Sequence, residues 1–449
     1  MVRLRRTARV WRLTARNGLR FVVHFGRRSV SSKARRADLD NRFAIRTSAD
    51  VARELGQMKG ALMKFGQLVS FVVEALPEEA QVALASLQAD APPMAPSAAA
   101  AVVRAELGAE PEKVFLDWQP LPVAAASIGQ VHRAVTHDGR DVAVKVQYPG
   151  VADALETDLD NTEALYRMVG AFTVKSLDYR ALVDELRDRM REELDYRHEA
   201  NNLRHFARHF AGHPFVTVPT LDPATSTARV LTTEWIDGIG FAEFLTTSSP
   251  EAKWRAGETI WRFAQYCVHQ GGVFNGDPHP GNYRFSIDGE VTFLDFGLVK
   301  RWTAGEWEQL LPTLHAVIVH RDPTLLVTAM EASGFLRSGH GLAPETVYEY
   351  VSTPYTPYLT DRFAFDRDFV KQALATIIDV RGPHAQVIEQ LNMPPSFVIL
   401  DRVVWGVNAI LGKLEVEAPW RGMLLEYLFD GAPATPMGEA ELAWRRRRP

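Results

Sequence analysis

The chain has 449 residues, enough for two to three domains of ordinary size or one large bilobal unit. Its composition, 46% hydrophobic and 24% charged with 30 Gly and 26 Pro, excludes a disordered, collagen-like or disulfide-stapled protein. The net charge of −4 conceals an asymmetry: residues 1–36 hold twelve Lys or Arg and no acid, Arg445 to Arg448 add four more, and the 35 basic residues left face all 55 acidic ones.

The single cysteine, Cys267, permits no internal disulfide and suits a reducing compartment. No uninterrupted apolar run approaches the roughly 18 residues of a spanning helix. Residues 397–411 come closest, but Asp401, Arg402 and Asn408 interrupt them. The basic N-terminus also lacks the apolar stretch of a secretory signal. These features predict an intracellular, cytoplasmic protein, with a peripheral place on the inner face of the cell membrane open to it.

In chain order, residues 1–47 form a basic arm. Val2, Leu4, Val10, Trp11, Leu13, Leu19, Phe21, Val22 and Phe25 are interleaved with its arginines. Such a segment can lie on an anionic membrane surface, bind nucleic acid, or pack as a solvated tail on the acidic body. The membrane surface or its lipid is the partner that fits best, and nucleic acid fits least. A helix is predicted next, because Val51, Leu55, Met58, Leu62, Val69, Val72, Val73 and Leu76 recur at helical spacing. Gln57, Gly60, Lys64 and Gln67 share one polar face of it, suited to lie against another surface.

Residues 90–97 are a Pro-rich break, and a short helix over residues 98–107 follows. Alternation then takes over: Val131, Arg133 and Val135, then a polar turn over residues 137–140, then Val142, Val144 and Val146, which predicts a hairpin. Residues 151–209 read as helical with a break near 173–176. Residues 230–236 read as a buried strand ended by Asp237-Gly238. The remainder is helical except for residues 275–296, which hold two short strands. The fold class expected is α+β with a helical second lobe.

Four short motifs occur in a telling order. Ala124, Ala125, Ala126, Ser127, Ile128, Gly129, Gln130 and Val131 fit the loop template G-x-G-x-x-G-x-V, with Ala at the first two glycine positions. Such a loop closes over nucleotide phosphates through backbone N–H groups. Val142-Ala143-Val144-Lys145 matches V-A-I-K, and Lys145 alternates to the face opposite the valines. Asp277 and Asn282 have the D-x-x-x-x-N spacing of a catalytic loop, although Asn275-Gly276 stands where His-Arg is usual. Asp295-Phe296-Gly297 follows an apolar strand and matches the magnesium-binding D-F-G. The 18 residues from Asp277 to Asp295 suit the hairpin that joins two such loops. Any one match is weak; together, in this order, they predict a nucleotide site. A fifth element, a helix through residues 192–199, supplies a carboxylate for Lys145, with Glu199 lying 54 positions beyond it.

On these residues the chain resembles the UbiB, AarF or aarF-domain-containing atypical protein-kinase-like family. Met63-Lys64-Phe65-Gly66-Gln67 fits the family's K-x-G-Q signature, residues 124–132 its alanine-rich loop, and Glu193-Leu194-Asp195 its E-x-D motif. The resemblance covers roughly residues 52–421. It implies a bilobal kinase-like fold with an N-terminal helical extension and a helical insertion in the N-lobe. The divisions expected are the arm at 1–47, the extension at 48–110, the N-lobe at 111–236, the C-lobe at 237–430 and a basic tail at 431–449.

The resemblance also implies roles. Lys145 would hold ATP or ADP phosphates and pair with Glu199; Asn282 and Asp295 would hold Mg²⁺; Asp277 would serve as base or orient water. Lys64 would meet Glu193 over the entry for a protein substrate, with Asp195 beside it, and Gln67 would lie near the phosphates. Glu234, Trp235 and Ile236 would offer backbone groups to adenine. The expected function is an ATP-binding, Mg²⁺-dependent kinase-like ATPase at a membrane surface, linked by the family to isoprenoid quinone or lipid metabolism. A nucleotide-gated scaffold and a true protein kinase are the alternatives. Many bacterial relatives end in two membrane-spanning helices, and no such pair is expected here. His279 reads as loop-shaping, His198, His205 and His209 as packing residues, and Trp302, Trp307, Trp405 and Trp420 as core.

Overall fold

The computed structural model describes residues 94–126, 128–152, 191–379 and 382–448. The basic arm, the helix with Gly60, Lys64 and Gln67, Ser127, and residues 153–190 of the expected insertion lie outside the described residues.

Helix α1 (Pro96–Leu107) starts with Pro at its first position and stops at Gly108, whose φ of 79° only a glycine adopts freely. It buries Ala99, Val102 and Val103 against a five-stranded antiparallel sheet. Strands β1 (Asp117–Trp118), β2 (Ala124–Ala125), β3 (Gly129–Val135) and β4 (Asp141–Gln147) are joined, beyond helix α2 (Tyr196–His209) and the short β5 (Val216–Thr217), by β6 (Val230–Glu234). The neighbours run β1-β3-β4-β6, with β2 on β3. Period-two alternation sets the faces. Val142, Val144 and Val146 pack with Ala134 and Trp118 beneath α1, and Lys145 therefore faces the other way, toward α2.

The sequence predicted one helix through residues 192–199. The structure instead breaks it: helical residues end at Glu193, and Asp195 is extended (φ −118°, ψ 100°). Its carboxylate accepts the Arg197 N–H at 3.0 Å and starts α2 afresh. Aspartate is a strong N-cap because its side chain competes with the helix for backbone donors. The new start aims Tyr196, Glu199, Ala200, Leu203 and Phe206 inward.

The second lobe is mostly helical. Helix α3 (Pro250–Tyr266) is buried along most of its length, and runs on through a π-turn that holds the buried Cys267. Strand β7 (Val273–Asn275) pairs with β10 (Val299–Arg301); between them β8 (Tyr283–Phe285) and β9 (Val291–Phe293) form a hairpin, and β5 adds in parallel to β9. Helices α4 (Pro395–Leu414), α5 (Trp420–Leu428) and α6 (Pro436–Arg446) close the lobe. Trp405 and Trp420 are buried, and Trp302 and Trp307 pack at the edge of the core.

Residues 431–449, expected as a basic tail, hold helix α6 instead. Thr435 caps it, Pro436 begins it, and Trp444 and Glu441 are buried. Beneath it lies a buried charge cluster. Arg262 of α3 donates to Glu258 at 2.7 Å, to both carboxylate oxygens of Glu426 at 2.9 and 3.0 Å, to the Tyr427 hydroxyl at 3.0 Å and to Glu441 at 3.3 Å.

Candidate active site

Strand β4, helix α2 and the loop after β9 bring three charges to one point. The Lys145 Nζ donates to both oxygens of Glu199, at 2.9 and 2.8 Å, and reaches Asp295 Oδ2 at 3.5 Å. It also lies 5.1 Å from the centre of the Tyr196 ring. Burial opposes the lysine's charge, but the Asp295 and Glu199 carboxylates outweigh it and hold the ammonium well above its ordinary range. Burial is the largest influence on Glu199 too, and pushes its carboxyl up to about 7 despite the neighbouring lysine. The Tyr196 hydroxyl is buried here and, among the described residues, has no hydrogen-bond partner.

The loop after β7 carries Asp277. Its backbone N–H donates to Asn275 Oδ1 at 2.9 Å, and the Asn275 amide donates onward to the Asp295 carbonyl at 2.7 Å. One side chain thus ties the two loops together. Gly276 has no room for a side chain: a Cβ would stand 2.8 Å from Ile399 and 3.1 Å from Leu298. The guanidinium absent from that position comes from α4. Arg402 Nε donates to the Gly276 carbonyl at 2.9 Å, and its Nη2 is bonded to Asp277 Oδ1. The other Asp277 oxygen accepts the Asn282 amide at 3.0 Å. His279 accepts the Gly281 N–H at 3.1 Å and caps the turn at Pro280–Asn282, the loop-shaping part expected of it.

Asp295 accepts the Gly297 N–H at 2.8 Å, while Phe296 is buried and stacks on Phe206 of α2 with ring centres 4.6 Å apart. The Phe296 carbonyl accepts from Asn202 at 3.1 Å. The loop and α2 are therefore locked together at two points within two turns after Glu199. For Mg²⁺, the donor set fits. With the Asn282 amide nitrogen committed to Asp277, its oxygen and the Asp295 carboxylate are hard oxygen donors of the kind that would hold a magnesium whose shell phosphates complete.

The alanine loop is a tight β2–β3 hairpin, closed by the Ala126 N–H on the Gly129 carbonyl at 2.9 Å. Gly129 is required by packing: a Cβ would meet the Val146 carbonyl at 2.4 Å and the Tyr196 hydroxyl at 2.7 Å. Gln130 and His132 turn into the lobe and are fully buried. His132 Nδ1 lies 2.9 Å from the Gln119 carbonyl, so it carries the proton; Nε2 then accepts from Gln130, whose own oxygen accepts the Met94 N–H. Gln130 can offer a nucleotide nothing but backbone. At the hinge, the Glu234 N–H is bonded to Thr220 at 2.8 Å and the Trp235 N–H to Asp141 at 3.0 Å, which leaves Ile236 the donor of the three. Glu193 lies close enough to act electrostatically on Glu199 and Tyr196, and Asp195 caps α2. Lys64, Gln67 and Ser127 lie outside the described residues. Asn275, Arg402 and Tyr196 are site residues that motif reading missed.

A lysine on an antiparallel sheet, paired to a helix glutamate behind it, over a lobe that presents Asp277, Asn282 and Asp295, is the arrangement of the protein-kinase-like fold, here with alanines in the β2–β3 turn. The chain belongs to the ABC1 atypical kinase-like family, whose domain matches residues 86–330. It is 33% identical over 289 residues to Activity of BC1 complex kinase 8, a chloroplastic protein of Arabidopsis thaliana, across 61% of this chain and 37% of that one. It is 32% identical over 449 residues to an uncharacterized chloroplastic aarF domain-containing protein kinase of the same plant, across 96% of this chain and 60% of the relative. Among solved structures, the Rv3197–erythromycin complex from Mycobacterium tuberculosis matches with a TM-score of 0.62 and 33% identity, covering 85% of this chain and 95% of that one. The chain spans about half the length of the first curated relatives it matches. Among the described residues, no helix is long and apolar enough to cross a membrane.

Proposed function

We propose that this protein binds ATP and ADP with Mg²⁺ and transfers the γ-phosphoryl group to water or to a small lipid-like acceptor at a membrane surface. The observation that carries the reading is the junction of Lys145 with Glu199 and Asp295, at 2.8 to 3.5 Å, beside the Asp277–Asn282 loop. Phosphoryl transfer asks little covalent work of a protein; positioning and charge do most of it. In this reading Lys145 orients phosphate oxygens, Glu199 holds the lysine, and Asp277 orients the acceptor. Mg²⁺ on Asp295 and Asn282 would neutralise the charge that develops on the transferred group. The link to isoprenoid quinone or lipid metabolism rests on family membership, and the membrane on the basic arm. The erythromycin in the M. tuberculosis relative's structure supports a small hydrophobic ligand, rather than a protein, as the first class to try.

A second reading has one observation in its favour. Both Asp277 carboxylate oxygens are already engaged, one by the Arg402 guanidinium and the other by the Asn282 amide, which suits a nucleotide-gated scaffold with slow turnover. Phosphate release from Mg²⁺-ATP, with and without anionic liposomes, separates the two. Wild type, Asp295→Asn and a chain lacking residues 1–36 are run side by side. Release that needs both Asp295 and the arm supports the membrane-activated ATPase; tight nucleotide binding without release supports the scaffold. Hydrolysis that survives Asp295→Asn unchanged would sink the assignment of the site.

A further inference from the structure

Helix α2 has a second face. Opposite Glu199, its outer side meets the end of α6 over an open cleft of about 400 Å³, lined by Asn201, Arg204, His205, Arg208, His209 and Arg448. Three of the six side chains are guanidiniums, two are imidazoles, and none is a carboxylate. Arg204 donates to the Asn201 amide oxygen at 2.8 Å, and the Arg448 guanidinium lies 4.5 Å over the Trp444 ring. Among the described residues, neither these two nor Arg208 has a carboxylate within ion-pair distance.

The excess charge registers on the imidazoles. Burial and then the Arg301 charge lower the His205 pKa. Burial, followed by Arg448, His205 and His213, pushes His209 down to about 4. The two rings stack 5.9 Å apart, and His209 Nε2 lies 3.1 Å from the Tyr266 hydroxyl. Like charges from α2, β10 and the end of α6 thus converge on one concavity, an arrangement that repels itself until an anion enters. Guanidinium forks match phosphate oxygens in pairs, which sets the ligand chemistry.

We propose that this cleft is a binding site for a phosphate-bearing anion, held by Arg204, Arg208 and Arg448. A soluble phosphate ester and a lipid headgroup present the same chemistry. Because Glu199 and Phe206 lie on the inner face of the same helix, an anion here also ties α2 to α6 behind the active site. The inference stands on the outer face of α2 alone and does not depend on how the nucleotide site is read.

Calorimetry on the full chain tests it, with the nucleotide site saturated by Mg²⁺ and a non-hydrolysable ATP analogue. Inorganic diphosphate is the soluble probe; vesicles of phosphatidylcholine with phosphatidic acid are the lipid probe. Loss of two charge-assisted contacts in Arg204→Gln/Arg208→Gln should weaken binding at least about tenfold. Arg448→Gln, which leaves α2 untouched, should weaken it in the same direction. Diphosphate should also raise the titration midpoints of His205 and His209, read by NMR, a response that a purely structural role for the arginines does not produce. A response to vesicles that the double variant loses identifies the source as a headgroup, and a response to diphosphate alone identifies a soluble ligand. Binding of neither probe, or diphosphate binding that persists undiminished in the double variant, overturns the proposal.

Discussion

Lys145 and Glu199 hold each other inside a lobe where neither charge is at ease. Glu199 takes its carboxyl from an ordinary 4.5 to about 7, mainly through burial. The folded protein therefore holds a proton there that the unfolded chain has released, across the interval from about 4.5 to 7. The sign follows directly: this group's contribution to stability falls as pH rises through that interval. Under the proposed function its value to nucleotide binding would run the opposite way, because only the ionised carboxylate fixes the lysine. Melting temperature and Mg²⁺-ATP affinity, followed from pH 5 to 8, should show opposed trends, and both should flatten in Glu199→Gln. Arg402 gives a second prediction at this scale. Arg402→Met leaves Asp277 without its guanidinium and the Gly276 carbonyl without its donor. Stability should fall by about 2 kcal/mol in urea denaturation. Phosphate release should change as well, because Asp277 Oδ1 loses the partner that holds it in place.

The sheet, helix α2 and the loops between them were unequally legible in the sequence. The β3–β4 hairpin was plain, because alternating valines at 142, 144 and 146 leave Lys145 one direction to point. The break at Asp195 was not, since the acidic run Glu192-Glu193-Leu194-Asp195 keeps helical composition through the stop, and an N-cap is a matter of one side chain's hydrogen bond. Arg402 was hidden for a different reason: it lies 125 residues from Asp277, inside a helix whose apolar pattern draws the eye. Thr435-Pro436 carries a start signal for α6, but the arginine run beyond it gives the segment the composition of a solvated tail. In the phosphate loop, spacing found Gly129, while the cause lies in the neighbours. Gly129→Ala sets a methyl against the Val146 carbonyl and Tyr196. It should cost about 1–3 kcal/mol in denaturant unfolding and weaken nucleotide binding in parallel. A variant of unchanged stability would show that the glycine serves the phosphates instead.

At the scale of the molecule, the buried cluster around Arg262 is the seam that holds α3, α5 and α6 together. One guanidinium serves Glu258, Glu426 and Glu441, with Tyr427 and Thr435 completing its shell. Such groups stabilise little when intact and cost much when broken, because removal of one partner strands the others. Arg262→Met should cost about 3–5 kcal/mol in equilibrium unfolding. Replacement of all four charged residues by apolar ones of similar volume should recover most of that loss. The same seam imposes an order on synthesis. A chain grows from its N-terminus and folds as it emerges, yet Arg262 is made long before Thr435 and Glu441 exist. Until they arrive, the guanidinium must stay in water, and the lobe around the candidate active site must wait, unsealed, for the residues that close it.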